Sequence, residues 1–139
     1  MNGQALLEKV TIDDILDGIL SVVGLEEIPD DSFLVCITPH MLSYRGDDKM
    51  PRLVPSSILY GRIISRLNQV IEESNLLTED ATELYRQGIL DEIVDRLKGG
   101  EEINTTNLKA YSGSLKNGRH FLIINYTPTG TIYIQVNQH

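Results

Sequence analysis

A single cysteine, Cys36, is all the thiol chemistry this chain has, so no internal disulfide can close; an unpaired thiol suits a reducing compartment. Long apolar runs are missing as well. None approaches the roughly 18 residues needed to cross a bilayer, which excludes a spanning helix. Residues Met1 to Lys9 lack the basic start, apolar middle and small-residue cleavage site of a secretory signal, so a cytoplasmic location is expected. Basic residues are scarce, 12 against 20 acidic ones, for a net charge of −8. Three basic and ten acidic residues give −7 over residues 1–50, six and eight give −2 over 51–100, and three and two give +1 over 101–139. Such a surface repels phosphate backbones and anionic headgroups, so neither nucleic acid nor membrane is expected as a partner.

Familiar site motifs are absent too. No Gly-x-x-x-x-Gly-Lys-Ser/Thr or Gly-x-Gly-x-x-Gly loop follows a strand-like run. None of His40, His120 and His139 has a second ligand at metal-binding spacing. No cofactor or metal is expected. Cys36 and His40 are the one pair resembling a nucleophile and its base, but a strand holds residues four apart at about 13 Å. A small buried core thiol beside a loop histidine is the commoner meaning of this pattern. The helical carboxylates Glu72, Glu73, Asp91, Glu92 and Asp95 fall at solvent-facing spacing. No catalytic residue is assigned, and an enzyme is not expected.

What is present reads as an ordinary globular chain. With 139 residues and 41% hydrophobic side chains, residues 1–139 suffice for one domain with a real core. Thr11-Ile12-Asp13-Asp14 is a helix start, the stripe Ile12, Ile15, Leu16, Ile19, Leu20 and Val23 continues it, and Gly24 stops it. The spacing predicts a helix over 12–23. Phe33 to Thr38 is apolar on both alternating faces and predicts a strand covered on both sides. A second helix opens at Pro55-Ser56-Ser57 with Leu59, Ile63, Leu67, Val70 and Ile71 on one stripe. A third spans about 78–98, with Gly88 as a kink and Gly99-Gly100 as its end. Leu108–Ser114, His120–Tyr126 and Thr131–Val136, divided by turns at Asn117-Gly118 and Gly130, predict a meander. The fold class expected is α+β: an antiparallel sheet of one N-terminal strand plus a C-terminal three-stranded meander, packed with three helices. Gln135 and Asn137 make the last strand look half solvated, hence an edge.

Phe33-Leu34-Val35-Cys36-Ile37 leading to the second helix, a short return strand at Met41 to Tyr44, and the closing meander Leu108 to Val136 together resemble the roadblock, or dynein light chain, family. The third helical segment is an insertion relative to that family, and Pro39-His40 replaces its acidic, glycine-containing turn. The resemblance implies a non-catalytic dimer acting as an adaptor or as a regulator of a GTPase or motor.

The leading functional expectation is therefore a non-catalytic protein–protein interaction module: an adaptor, assembly factor or regulatory subunit, self-associated as a homodimer. Candidate interaction residues are Ile58, Tyr60 and Ile64, on the helical stripe left over from the core, and Tyr133 on the last strand. The alternative is a small-ligand or metal-responsive regulator using Tyr44, Arg45, Asp47 and Asp48 in the 40–49 loop, although two adjacent Asp residues do not supply calcium's 6–8 oxygens. A weaker alternative is an enzyme whose site assembles from residues distant in sequence.

Overall fold

A computed structural model describes residues 9–30, 32–46, 50–91, 93–98 and 100–137. The chain folds around one antiparallel sheet. Its strands are β1 (Phe33–Ile37), β2 (Met41–Arg45), β3 (Arg52–Pro55), β4 (Leu77–Glu79), β5 (Leu108–Ser114), β6 (His120–Tyr126) and β7 (Thr131–Asn137), in the spatial order β3-β2-β1-β7-β6-β5-β4. The helices are α1 (Ile12–Val23), α2 (Tyr60–Glu73), α3 (Ala81–Arg86) and α4 (Val94–Lys98).

The expected helix over 12–23 is present, and its local chemistry is the one the sequence spells. The Asp14 amide donates to Thr11 Oγ1 while the Thr11 amide donates back to the Asp14 carboxylate, closing a capping box. Gly24 ends the helix in the left-handed region, at φ 82°. Those hydrogen bonds hold the Asp14 carboxyl below its ordinary pKa.

Seven strands and four helices replace the expected four strands and three helices. β2 takes the place of the short return strand at Met41 to Tyr44, and β3 and β4 are hidden in the sequence for separate reasons. β2 folds straight back on β1 through the Thr38–His40 turn, where the Thr38 hydroxyl donates to the Met41 carbonyl. β3 follows Pro51 and ends on Pro55, residues that argue against a strand but are tolerated at a sheet edge. β4 has only three residues, and Thr78-Glu79-Asp80 reads as a helix cap; Asp80 alone is the cap, its carboxylate accepting from the Thr82 and Glu83 amides, while Thr78 and Glu79 belong to the strand.

The long third helix is also corrected. Gly88 adopts φ +77°, so the segment breaks there instead of kinking, leaving α3 and α4 as separate short helices. α2 starts later than expected because Pro55 belongs to β3 and the Ser56 hydroxyl donates to the Thr38 carbonyl.

The largest correction concerns β7, which is the middle strand and not an edge. It pairs with β6 on one side and with β1 on the other, so the first and last strands of the chain meet at the centre. Gln135 and Asn137, which suggested a solvated face, satisfy each other through a side-chain amide hydrogen bond, and Ser32 donates to the Asn137 amide oxygen.

Both faces of the sheet are covered. α1 and α2 lie on the first, over Phe33, Val35, Ile37, Leu42, Phe121, Ile123, Ile132, Ile134 and Val136. The segment carrying α3 and α4 lies on the second, placing Leu84, Leu90, Ile93 and Leu97 on Leu34, Cys36, Leu108, Ala110, Ile124, Tyr126 and Tyr133. Strict alternation along each strand sends odd residues of β1 and β6, and even residues of β7, to the first face. No helix among the described residues is long and apolar enough to cross a membrane.

Candidate functional site

The residues singled out in the sequence do not converge on one place. Cys36 is buried on the second face, while His40 is exposed on the β1–β2 turn. The side chains that act on the thiol are Arg96 and Ser43, not the histidine. Arg96 donates to the Ser43 hydroxyl at 3.0 Å, reaching from α4 onto β2. Burial pushes the Cys36 thiol above its ordinary value, and the Arg96 guanidinium only partly opposes this. A neutral, covered thiol is a core side chain and a poor nucleophile. Because the folded state then holds its proton more tightly than the unfolded chain does, stability should fall as pH rises above the thiol's ordinary value of 9.0. Replacing Cys36 with Ala should flatten that decline. Urea midpoints of both proteins on either side of this pH test it; parallel declines would refute it.

In the 40–49 loop, Met41 to Arg45 is strand β2. Tyr44 is buried against the first core and its hydroxyl donates to the Val23 carbonyl, while Arg45 projects on the opposite face of the strand. Asp47 and Asp48 lie outside the described residues. Tyr44 and Arg45 therefore do not form one cradle, and no group of three or more His, Cys, Asp or Glu side chains that could hold a metal occurs among the described residues.

The candidate interaction residues separate sharply. Ile58 stands 85% exposed on the turn between β3 and α2. Tyr60 is half-buried, and its hydroxyl donates to the Gly130 carbonyl, tying the start of α2 to the β6–β7 turn. Ile64 is half-buried against the first core. Tyr133 is 4% exposed beneath the α3–α4 segment, so the interior claims it and a partner cannot reach it.

Sequence reasoning missed the company Ile58 keeps. Four of the eight large apolar side chains exposed among the described residues, Met41, Met50, Leu53 and Ile58, belong to the span from β2 to the start of α2. On β2 and β3 the register sets Met41 opposite Pro55 and Ser43 opposite Leu53, so Met41, Leu53 and Pro55 share the second face of the sheet. The sign available in sequence was weak: Leu53 sits between two prolines, in a stretch without periodicity.

The rim of β3 is not an open ladder. The Ser56 amide bonds inward to the His40 carbonyl, so by alternation Arg52 and Val54 also face β2, whereas positions 51, 53 and 55 face out. Two of these three are proline. Leu53 alone can offer an outward amide, which blunts the edge against strand addition.

No protein-family model, curated protein or solved structure matches this chain.

Proposed function

We propose that the chain is a non-catalytic protein–protein interaction module, an adaptor, assembly factor or regulatory subunit that works as a homodimer. The observation that carries this reading is the pair of exposed apolar side chains on the second face at the β3 margin, Met41 at 37% and Leu53 at 67%, followed along the chain by Ile58, 85% exposed on the turn into α2. Burying a leucine or isoleucine fully is worth about 1.5–3 kcal/mol, and a two-fold axis doubles each contribution before the entropic cost of association is subtracted. The proline-blunted rim makes side chains, not backbone pairing, the adhesive. The family resemblance belongs to the same proposal: the succession α1, β1, β2, α2 and the closing meander β5–β6–β7 supports it, with β3 and the β4–α3–α4 segment as additions.

Light scattering at micromolar concentration should give the mass of two 15.6 kDa chains, and the double change Leu53→Asp, Ile58→Asp should return it to one chain without loss of folded structure. A single-chain mass for the unmodified protein would end the homodimer reading.

A further inference from the structure

We infer that the groove between α1 and α2 docks an acidic, amphipathic helix of a partner protein. The inference rests on the interaction-module reading but uses a groove that Met41 and Leu53 do not line, although Leu59, next to Ile58, does. The groove is about 330 Å3, with Ile15, Gly18, Ile19 and Ile63 among its lining residues, and it adjoins a second hollow that shares Asp14, Ile15 and Arg66 with it. Along α1 the lining runs from Asp14 to Val22, roughly two turns or 12 Å, the span of a short helix lying in a groove.

Charge decides the occupant. Arg62 and Arg66, one turn apart on α2, line the groove, and Lys9 stands at its end. None of the three forms an ion pair among the described residues, although the chain as a whole carries −8. The one carboxylate in the lining, Asp14, is engaged by the Thr11 amide and hydroxyl in the capping box. A local excess of cations beside an apolar trough on an otherwise acidic protein is complementary to leucine-like side chains flanked by carboxylates. A second copy fits less well: among the large apolar side chains of α1 only Val22, 37% exposed, stands out from the surface, so α1 of a second copy has no apolar stripe to insert.

Gly18 supplies the control. A Cβ built there meets nothing within 4 Å, so the backbone accepts a side chain at Gly18, Gly18→Leu projects into the groove, and replacing an exposed helical glycine should hold or raise stability. The probe is a synthetic helical peptide of about four turns with leucines at i and i+4 flanked by glutamates, its control the same peptide with lysines for glutamates. By fluorescence anisotropy the acidic peptide should bind at micromolar concentration and the lysine peptide should not. Gly18→Leu and the double change Arg62→Glu, Arg66→Glu should each weaken the acidic peptide by about tenfold or more, the latter gaining affinity for the lysine peptide. Amide shifts on binding should centre on Gly18, Val22, Arg62 and Arg66. Equal binding of both peptides, no binding, or shifts centred elsewhere would overturn the inference. So would a dimer of the unmodified protein that Gly18→Leu dissociates, because the groove would then hold a second copy. A Leu53→Asp protein, changed at the β3 margin away from the groove lining, should bind the acidic peptide normally, so failure at the groove and failure at the β3 margin are read separately.

Discussion

Truncating Tyr133 to Ala is expected to destabilise the protein by about 3–5 kcal/mol, and truncating its neighbour Ile134 to Ala by about 2–5 kcal/mol. The two residues are adjacent on β7 and point to opposite faces. Ile134 is fully buried in the core beneath α1 and α2, and Tyr133, 4% exposed, is packed beneath the α3–α4 segment. Only a strand with cover on both sides can lose several kcal/mol at successive positions; on a half-solvated edge one of the pair would be nearly silent. Leu53→Ala on the true edge strand β3, where the side chain is 67% exposed, should stay within about 0.5 kcal/mol. Urea unfolding of the three variants compares them directly, and a negligible effect of Tyr133→Ala would contradict the central placement of β7.

That contrast also marks where the sequence was legible. Helix α1 was readable almost to the residue, because its cap, its stripe and its C-terminal glycine are local signals that agree. The meander was equally clear, since Asn117-Gly118 and Gly130 supply the left-handed backbone its turns require. What failed were features decided at a distance. The polar side chains of Gln135 and Asn137 suggested solvent, but β1 claims the free side of β7 and the amides pair with each other. Pro51 and Pro55 hid β3 because they remove donors, which matters only for a strand paired on both sides. Over residues 78–98 the apolar spacing is helical throughout, and Gly88 at φ +77° divides it, while Leu84, Leu90, Ile93 and Leu97 on both sides of the break still pack on the second face.

The candidate sites show the same division. Ile58 is legible as a surplus apolar residue on the expected second-helix stripe; it is exposed, but on the turn ahead of α2. Tyr133 suits a partner only on an edge strand, and the central place of β7 puts its side chain in the interior. The cations along the groove were individually visible, but Lys9 and Arg66 are 57 positions apart, and only the packing of α2 against α1 sets them around one hollow.

The covering of the second face provides the other large effect. Tyr126 is 2% exposed and among the bulkiest fully buried side chains, seated with Leu97, Leu108 and Ile124. Its hydroxyl donates to the Glu102 carbonyl and accepts from the Asn104 amide, fixing the connection that leads from α4 to β5. The ring and the hydroxyl therefore do different work. Tyr126→Ala removes the ring from the core and should cost about 3–5 kcal/mol. Tyr126→Phe keeps the volume and removes only the two hydrogen bonds, which should cost about 1 kcal/mol. The smaller change should also be local. Hydrogen exchange at the Asn104 amide should accelerate in Tyr126→Phe while the amides of β6 and β7 keep their protection, since those open only with the sheet. If the phenylalanine variant instead lost protection throughout the sheet, the connection would be part of the cooperative core, and the α3–α4 segment could not open without unfolding the whole sheet.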